Sequence, residues 1–436
     1  MSNWDDSSDA PQRIASIIHG HIQERQGMKI SKIDVMMLKP FFQDRDNTSV
    51  ETKNVDWANF HKRCRPIVCR IHTDDGIYGD GEAAMLYGVG ALASFGMLKD
   101  LAAMILGMDP FDNEVIWDKL YKQTYFAQNG GPIIYSAISA IDLALWDIKG
   151  KAFSVPVYRL LGGKKRSRLR CYASQLQFGW GPEPKPAYST RDYVDNSLKA
   201  LEDGYDAIKI DFFIYDKDGG TFTEEERTRL LKPYYLDLIE ERVAAVREAI
   251  GRHVDLIVEA HSFTDAQSAL QIGRRIEKYN IFYYEEPCTP FPKLGKYVKE
   301  HIHIPIGSGE RIFSRWQYAP YIEDLSLQVI QPDLGNCGGI TEAKKIADMA
   351  YIYDIGVQLH CCATPLSVAA ALNFEGVIPN FVIHEHHVFQ LLDYMKKFCI
   401  HDYQPENGFF SIPETPGLGN ELSEYSLSNC DKFVVE

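Results

Sequence analysis

Two patterns of apolar positions alternate along the chain from about residue 170 onward. Short apolar runs, rich in β-branched and aromatic residues, alternate with stretches in which apolar residues recur every three or four positions. The first pattern predicts β-strands and the second predicts α-helices. The predicted strands are LRCYASQ, DAIKIDFF, VDLIVEAH, IFYYEEP, IPIGSGE, LQVIQPD, GVQLHCC and PNFVIHE. Eight strands alternating with helices over roughly 225 residues indicate parallel βαβ units closed into a (β/α)8, or TIM-like, barrel.

The part of the chain before this region has a different pattern, which predicts an α+β capping domain. KISKIDVMML and RPIVCRIHTDDGIYGDGEA predict strands around a turn. The segment that follows from Gly130 has apolar residues at helical spacing and closes with Gly162 and Gly163. We therefore predict a polar extension at 1–27, the capping domain at 28–163, the barrel domain at 164–395, and a C-terminal segment at 396–436 that returns to the capping domain.

A long polar loop, residues 41–65, separates the first two predicted strands. It carries several aromatic residues, including Phe42 and Trp57. Loops of this length inside a compact domain are usually functional or disordered. The aromatic residues favour a lid over a binding site, although a packed surface loop explains them nearly as well.

Composition and charge narrow the class of protein. With 45% hydrophobic and 24% charged residues, the 436-residue chain has the composition of a soluble globular protein. The formal net charge of -14 argues against nucleic acid or an anionic membrane as a main partner. No apolar run approaches the ~20 residues that cross a bilayer. The nine cysteines include no C-x-x-C pair, so we expect reduced thiols and a cytoplasmic location.

An ionisable residue stands at the end of most predicted barrel strands. Six of them follow one another at intervals of 23 to 27 residues: Glu259, Glu285, Glu310, Asp333, His360 and Glu385. The active site of a (β/α)8 barrel is built from the C-terminal ends of its strands. Because a purely structural barrel has no reason to repeat this placement six times, the regularity predicts a catalytic site.

Three of these residues, Glu259, Glu285 and Glu310, are carboxylates on successive predicted strands. Carboxylates held close together cannot all stay ionised without a counter-charge. Mg²⁺ supplies such a charge, since it takes a few carboxylate oxygens together with water and substrate. Unrelated rim carboxylates in salt bridges are the alternative, but the spacing favours a metal site.

Candidate proton-transfer groups surround this predicted site. Asp333 and His360 end neighbouring strands, and a carboxylate that orients an imidazole is a recurrent catalytic pair. His261 shares a strand face with the first of the three carboxylates and is a second candidate acid or base. Lys209 and Asp211 also share a face, and the Lys209 ammonium is placed to neutralise a substrate carboxylate. The combination suits removal of the weakly acidic proton next to a carboxylate, with a metal and cations stabilising the enediolate.

Two further motifs receive structural interpretations. HEHH, residues 384–387, looks like a metal cluster, but its members alternate faces on a strand, so at most two of them converge and zinc is disfavoured. GNCGG could hold a phosphate at a helix start. Because it follows the sixth predicted barrel strand rather than the seventh or eighth, a tight βα turn is the better interpretation.

The order of the motifs resembles that of the enolase superfamily, mandelate racemase subgroup. The motifs are K-x-D, E-x-H, E-E-P, G-E-R, Q-P-D, a histidine and a glutamate, and they follow a small first domain. GERIFSR, IQPDLGNCGGITEAKKIADMA and the tail NGFF…PGLG are similar to stretches of D-galactonate dehydratase and related acid-sugar dehydratases. The resemblance covers nearly the whole chain from Met28. Sites of this superfamily combine a Lys or His base with Mg²⁺.

The resemblance implies individual roles for these residues. The three carboxylates would bind Mg²⁺, with Glu286 behind them, and His360 would be the base, oriented by Asp333. Glu385 would hydrogen-bond the enediolate, and His261 would protonate the departing 3-hydroxyl group.

The resemblance also implies a homo-oligomer and a lid made of the loops at 41–65 and 85–90. Asp211, Arg311 and Trp57 are the predicted substrate-binding residues, and Lys209 is counted with the catalytic groups. We expect a small sugar acid as the partner, with no nucleic acid and no membrane.

Two positions depart from the family pattern. The first metal ligand is Glu259, where the family more often has Asp, so the metal or the ligand is shifted by one methylene. Racemases of the subgroup carry K-x-K on the second barrel strand, and Asp211 replaces the second lysine here. We therefore predict a Mg²⁺-dependent dehydratase that converts an aldonate or aldarate into a 2-keto-3-deoxy acid. An epimerase or cycloisomerase with Lys209 as an added base, and a non-catalytic Mg²⁺-binding relative, are the alternatives.

Overall fold

The computed structural model describes residues 27–39, 64–85 and 90–436. Most of the predicted extension at 1–27, nearly all of the candidate lid loop at 41–65, and Trp57 lie outside the described residues. The second candidate lid loop is described only at Met85 and Gly90. What the sequence predicts for these segments stays a prediction.

The described residues contain two sets of strands with helices between them. The strands are β1 (Ile30–Leu38), β2 (Ile67–Thr73), β3 (Tyr78–Ala83), β4 (Arg168–Ser174), β5 (Ala207–Asp211), β6 (Asp255–Glu259), β7 (Ile281–Glu285), β8 (Ile306–Ser308), β9 (Val329–Ile330), β10 (Gly356–Val357), β11 (His384–His387), β12 (Phe409–Ser411) and β13 (Cys430–Val435). The α-helices are α1 (Ala91–Ala103), α2 (Asn113–Gln123), α3 (Pro132–Ala152), α4 (Val157–Leu160), α5 (Thr190–Glu202), α6 (Glu224–Arg227), α7 (Pro233–Ile250), α8 (Ala266–Ile276), α9 (Pro292–His301), α10 (Ser314–Glu323), α11 (Gly339–Ile352), α12 (Pro365–Glu375), α13 (Asp393–Lys396) and α14 (Glu424–Ser428). Each of the eight predicted barrel strands overlaps one strand from β4 to β11.

The first sheet is antiparallel and has the order β13-β1-β2-β3. The C-terminal strand β13 pairs with β1, with Phe433 opposite Val35. An ion pair joins the same two strands, since Lys432 Nζ lies 2.7 Å from Asp34 Oδ2. The end of the chain therefore completes the first sheet, and we keep the predicted four-part division of the chain as a proposal that this pairing supports.

Helix α3 lies directly on β3, because glycines line the face between them. A Cβ added at Gly81 would lie 2.0 Å from the carbonyl oxygen of Ala140, and one added at Gly79 would lie 2.2 Å from that of Ala144. Real Cβ atoms do not approach a carbonyl oxygen this closely, so the separation of strand and helix requires glycine at both positions.

We expect Gly81→Ala to lower the free energy of unfolding by about 1–3 kcal/mol, because α3 or β3 must shift to admit the methyl group. Gly96→Ala is the matched control. Gly96 lies inside α1, and a Cβ there would meet no atom within 4 Å, so this variant should gain roughly 0.5–1 kcal/mol. Urea unfolding measures both changes, and equal effects of the two substitutions would contradict the packing argument.

Strands β4 to β11 of the second sheet are parallel and form a closed barrel, and β12 pairs antiparallel with β4. Strands β4 to β10 pair in chain order, and β11 pairs with β4. Phe381 forms a parallel bridge with Val357 of β10, and the Val357 N–H donates to the carbonyl oxygen of Asn380 over 2.7 Å. The segment from 380 to 387 therefore joins both ends of the sheet. The predicted fold class, a (β/α)8 barrel with an N-terminal α+β capping domain, is confirmed.

Two layers of inward side chains fill the barrel. The lower layer is apolar and consists of Tyr172, Ala207, Ile257, Tyr283, Val329 and Ile383. Four charged residues stand two positions after members of this layer: Lys209, Glu259, Glu285 and Glu385. Because side chains two apart on a strand share a face, the charged layer lies inside the barrel, toward the C-terminal ends of its strands.

Helix α3 also contacts the turn that follows β9. The Asp142 carboxylate accepts hydrogen bonds from the Thr341 N–H over 2.9 Å and from the Thr341 hydroxyl over 2.5 Å. Gly338 and Gly339 have φ of 113° and 78°, and a Cβ at Gly339 would lie 2.3 Å from Asp142 Oδ2. The GNCGG motif is therefore a tight βα turn packed against the first domain, as its sequence position indicates.

Two further observations concern the cysteines and the helices. None of the nine cysteines forms a disulfide bond in the structure, including the adjacent pair Cys361 and Cys362. Among the helices of the described ranges, none has both the length and the apolar character needed to cross a bilayer.

Candidate active site

The three predicted metal ligands meet at the C-terminal end of the barrel. Glu259 and Glu285 are the last residues of β6 and β7, and Glu310 follows β8 by two residues. One carboxylate oxygen from each of the three lies within 4.8 Å of the other two. The structure therefore brings together the group that the spacing in the sequence predicted.

Lys209 stands at the base of this group. Its Nζ lies 2.7 Å from Glu285 Oε1, 3.0 Å from Glu259 Oε2 and 3.0 Å from Glu385 Oε1. The Lys209 side chain is buried. Although burial opposes its charge, Glu259, Glu285 and Glu385 raise the pKa of Lys209 well above its ordinary value. Lys209 is therefore a fixed cation.

The carboxylates carry more negative charge than Lys209 offsets. Burial and the neighbouring Glu259 raise the pKa of Glu285 to about 8, and burial raises the pKa of Glu310. Burial acts in the same direction on Glu259, but His261 and Lys209 outweigh it and lower the pKa of that carboxyl. This is the behaviour of like charges that share one small space.

A divalent cation fits the unused oxygens of the group. Glu259 Oε1 and Glu285 Oε2 are buried and have no hydrogen-bond partner within the described part of the chain. Buried polar atoms are normally paired. The ligand atoms that Glu259, Glu285 and Glu310 offer are all carboxylate oxygens, which Mg²⁺ prefers. The chemistry of the donors and the orphaned oxygens therefore fit Mg²⁺.

His360 and Asp333 form one imidazole–carboxylate pair. His360 Nδ1 lies 2.6 Å from Asp333 Oδ2, and His360 Nε2 lies 3.4 Å from Glu310 Oε2. Burial lowers the pKa of His360, but Glu310 and Asp333 outweigh it and raise that pKa to about 10. The Asp333 carboxylate is itself held by the Gly335 N–H, which donates to Oδ1 over 2.7 Å. Nε2 of His360 is thus the nitrogen that faces the metal ligands.

His261 and Asp211 form a second such pair. His261 Nδ1 lies 2.5 Å from Asp211 Oδ2, and His261 Nε2 lies 3.6 Å from Glu259 Oε1. Burial lowers the pKa of His261, but Glu259 and Asp211 outweigh it and raise that pKa to about 9. Asp211 is fully buried, so its position favours orienting His261 over the predicted contact with substrate.

His261 reaches Glu259 by a route that strand alternation did not predict. Strand β6 ends at Glu259, and His261 and Ser262 have φ of 45° and 56°. Gln175 and Glu286, which follow β4 and β7, also have positive φ, of 67° and 45°. Non-glycine residues in the left-handed region are uncommon and cluster at functional sites. The turn, and not the pleat of the strand, returns the imidazole to the carboxylate.

Glu385 anchors the other side of Lys209. Its Oε1 accepts a hydrogen bond from the Ser174 hydroxyl over 2.6 Å, and its Oε2 accepts one from the Cys361 N–H over 2.9 Å. Lys209 and His360 outweigh the effect of burial and lower the pKa of Glu385 strongly. Both oxygens thus have donors from the protein, which favours a role in holding Lys209 over the predicted hydrogen bond to an enediolate.

The HEHH run is divided between the two faces of β11. His384 Nδ1 lies 2.6 Å from Glu375 Oε2, and His386 Nδ1 lies 2.5 Å from the hydroxyl of Tyr205. Glu385 faces Lys209 on the other side of the strand. The histidines therefore do not converge, in agreement with the interpretation against zinc.

Arg311 lies at the edge of the group formed by the three carboxylates. Its Nη1 contacts Glu286 Oε2 and lies 2.5 Å from Glu310 Oε1. About a third of its side chain is exposed. Arg311 therefore joins Glu286 to Glu310 at the edge of the site. The predicted place of Glu286 behind the carboxylates stays a prediction.

Sequence reasoning missed two amide side chains. Gln175 Nε2 donates to Glu259 Oε2 over 2.7 Å and lies 3.2 Å from His261 Nε2, and Gln177 Nε2 donates to Gln175 Oε1. Gln175 is the last residue of the predicted strand LRCYASQ. Its position at a strand end could therefore have identified it as a candidate site residue. The strand-end pattern was applied to ionisable residues, and an amide carries no charge.

Known proteins share both the sequence pattern and the fold. Residues 192–426 match the family model described as enolase C-terminal domain-like, and residues 54–162 match that of the mandelate racemase / muconate lactonizing enzyme N-terminal domain. The chain is 34% identical over 375 residues to D-galactonate dehydratase of Variovorax paradoxus, covering 83% of this chain and 90% of that protein.

Two crystal structures illustrate the similarity in fold. A member of the enolase superfamily from Salmonella Typhimurium superposes with a TM-score of 0.88 at 46% identity, covering 94% of this chain and 100% of that one. The 3,6-anhydro-D-galactonate cycloisomerase from Zobellia galactanivorans superposes with a TM-score of 0.73 at 25% identity, covering 92% of this chain and 99% of that one.

Proposed function

Because the chain belongs to the mandelate racemase / muconate lactonizing enzyme family of the enolase superfamily, we propose that it is a Mg²⁺-dependent dehydratase of a sugar acid. The family resemblance predicted from the motifs is confirmed. Relatives that bear the name of a dehydratase, at 34% identity over most of the chain, support a hydro-lyase. The metal, the substrate and the roles of individual residues are parts of the proposal.

One observation carries the proposal. Two imidazoles stand on opposite members of the carboxylate group, His360 at 3.4 Å from Glu310 and His261 at 3.6 Å from Glu259. Each imidazole has its own carboxylate on Nδ1, so each presents Nε2 to the same space. Elimination of water needs one group to take a proton from carbon and another to give a proton to the leaving oxygen.

Glu259, Glu285 and Glu310 are the residues that would hold Mg²⁺, which when bound would neutralise negative charge on the substrate carboxylate. Lys209 adds a permanent positive charge beside two of these residues. A preorganised positive environment of this kind stabilises charge that develops as the proton leaves.

The two histidines divide the proton transfers between them. His360 Nε2 takes the proton from C2, with Asp333 holding Nδ1. The electron pair of the broken C2–H bond first moves into the substrate carboxylate, which gives an enediolate. It then forms the C2=C3 double bond as the C3–O bond breaks, and His261 gives a proton to the departing oxygen, so that water leaves. The resulting enol becomes the 2-keto-3-deoxy acid when a proton is added at C3. His360 must be neutral to act, and a cation that neutralises Glu310 would remove the effect of one of the carboxylates that raise the pKa of His360.

The geometry argues against an epimerase that uses Lys209 as a second base. The Lys209 ammonium is buried and contacts three carboxylates, which hold its pKa far above neutrality. A base must lose its proton near the working pH. Lys209 therefore acts as a cation and does not replace, as a base, the second lysine of the racemases, whose position Asp211 occupies.

The substrate class follows from the relatives and the site. D-galactonate dehydratases support an aldonate, and an aldarate has the same carboxylate and C2–C3 arrangement. The proposal includes a small sugar acid as the partner. The predicted homo-oligomer and the predicted cytoplasmic location remain expectations.

A screen of sugar acids tests the proposal. The wild-type protein and a His360→Asn variant are incubated with Mg²⁺ and a library of four- to six-carbon aldonates and aldarates, and 2-keto-3-deoxy products are measured. Turnover of one or a few acids by the wild type alone would support the dehydratase. If the protein binds Mg²⁺ but forms no 2-keto-3-deoxy product from any acid of the library, the dehydratase proposal is wrong.

Replacing His261 by Asn should separate elimination from proton abstraction. We expect the rate of product formation to fall by about 10²–10⁴-fold, while His360 still exchanges the C2 proton with solvent. In D₂O, proton NMR of the recovered substrate should then show deuterium at C2 without matching product. His253 is exposed, and His253→Asn should change neither rate. Equal loss of exchange and elimination in His261→Asn would contradict the separate roles.

A further inference from the structure

A chain of side-chain amides connects the barrel backbone to the first metal ligand. The Asp211 N–H donates to Gln177 Oε1 over 3.1 Å, and Gln177 Nε2 donates to Gln175 Oε1. Gln175 Nε2 then donates to Glu259 Oε2 over 2.7 Å and lies 3.2 Å from His261 Nε2. Gln175 and Gln177 are buried, so these contacts are shielded from water.

The backbone N–H at one end fixes the direction of every hydrogen bond in this chain. A peptide N–H can only donate, so the Asp211 N–H requires an oxygen from Gln177. The Gln177 amide nitrogen must then face Gln175, which turns the Gln175 oxygen toward Gln177. The NH₂ group of Gln175 is thereby left facing Glu259 and His261. The orientation of this amide is a consequence of the fold.

The amide chain selects which oxygen of Glu259 is open to a cation. Oε2 receives two donors, Gln175 Nε2 at 2.7 Å and Lys209 Nζ at 3.0 Å. Oε1 is buried and has no hydrogen-bond partner in the described ranges, and it is the oxygen beside His261. A glutamate has one more rotatable bond than an aspartate, so a fixed carboxylate at this position needs an anchor on one oxygen.

We propose that Gln175 is a positioning residue that sets the Glu259 carboxylate for Mg²⁺ and holds the ring of His261 once its Nε2 has given up its proton and can accept a hydrogen bond. The part that concerns His261 rests on the proposed dehydratase function. The part that concerns Glu259 needs only a bound cation. Gln175 is thus a hydrogen-bond partner that matches glutamate at position 259. The carboxylate of an aspartate there would fall short of Gln175 by one methylene.

The backbone at Gln175 supplies an independent observation. This residue has φ of 67° and ψ of 44°, a left-handed conformation. Glycine adopts that conformation without the steric conflict that a Cβ creates. A glutamine here opposes the local backbone preference, which is expected where the side chain is required.

Two substitutions separate positioning from structural support. Gln175→Met keeps the size of the side chain and removes the amide, whereas Gln175→Gly removes the side chain and suits the backbone. We expect both variants to bind Mg²⁺ about 10- to 100-fold more weakly, the range found when a group that supports a metal ligand is lost. Titration calorimetry of the full-length protein with MgCl₂ measures the affinity. The midpoint of thermal unfolding without metal should be at least as high in Gln175→Gly as in Gln175→Met.

The outcomes distinguish this inference from the proposed function. The positioning role is supported if both variants bind Mg²⁺ more weakly and their affinities do not follow their midpoints of thermal unfolding. An affinity in Gln175→Met within twofold of the wild type overturns it, as does an affinity that simply follows stability. Mg²⁺ binding without turnover of any sugar acid would overturn the dehydratase and leave the result for Glu259 standing. A wild-type protein that binds no Mg²⁺ would overturn both.

Discussion

Replacing His360 by Asn is expected to lower kcat by about 10³-fold or more, near the upper end of what a general base contributes. No other described group is placed to take the proton at C2. Lys209 is held as a cation by three carboxylates. His261 lies beside a different carboxylate, Glu259, whereas His360 lies beside Glu310. The amide of asparagine can still donate to Asp333, so we expect the fold and the affinity for Mg²⁺ to persist.

Steady-state rates with the substrate found in the screen measure this effect. His301→Asn is the matched control, because His301 is exposed and its Nδ1 lies 2.7 Å from the Tyr297 carbonyl oxygen in its own helix. It should leave kcat unchanged. A His360→Asn variant that keeps more than about a tenth of the wild-type rate would exclude His360 as the base, since a lost general base costs at least 10²-fold.

The pH profile of Asp333→Asn provides a second check on the same pair. The rate of a reaction that needs a neutral base rises with pH until the base has lost its proton. Asp333 helps raise the pKa of His360, so its loss should lower that pKa and move the rise in rate to lower pH. An unchanged profile, or a shift to higher pH, would show that Asp333 does not govern the charge of His360.

The second large effect is expected from Glu285→Gln, which should weaken Mg²⁺ binding by at least about 100-fold. Loss of a group that only supports a ligand already weakens metal binding by 10- to 100-fold, and Glu285 supplies an oxygen itself. Glu285 Oε2 is buried and unpaired in the described residues, so a cation is the partner that the structure leaves open for it. Activity should fall in parallel and return only in part at high Mg²⁺.

The same substitution should be harmless to the metal-free fold. Burial and Glu259 raise the pKa of Glu285 to about 8, so the metal-free site already disfavours the charge of this carboxyl. Glutamine has nearly the same shape and no charge. A saturating cation at 100 times its Kd stabilises a protein by about 2.7 kcal/mol, and the wild type but not Glu285→Gln should show this gain.

Thermal unfolding with and without MgCl₂ measures that difference, and Glu248→Gln is the control. Glu248 is exposed on α7, so this variant should keep the full response to Mg²⁺. A response to Mg²⁺ in Glu285→Gln equal to that of the wild type would place the cation elsewhere.

The order of residues along the chain predicts much of the candidate active site. The strands of a parallel barrel all end on one side, so a polar residue after each apolar run points to one region. This rule located Glu259, Glu285 and Glu310, and it located Asp333 and His360 as neighbours. It needed no contact geometry, because the repeat of strand and helix is a local property of the sequence.

Two features were not determined by the sequence, because they depend on the backbone after a strand end and on contacts between distant segments. His261 returns to Glu259 through left-handed residues after β6, and strand alternation alone does not predict that turn. Lys209 contacts carboxylates from three other strands, which decides that it is a cation and not a base. The charge state of a buried group depends on its neighbours in space, and these come from residues up to 176 positions away.

The sequence by itself thus determined the barrel, the capping domain and the residue types at the strand ends, because these follow from periodicity and spacing. Only the tertiary structure decided which oxygen or nitrogen of each residue is free. Gln175 shows the difference most clearly. Its place at the end of a predicted strand was visible, but its hydrogen bonds to Glu259 and His261 depend on Gln177 and on the N–H of Asp211. Hydrogen bonds are directional and short, so the partners of Gln175 are fixed only when the backbones of β4, β5 and β6 are in place.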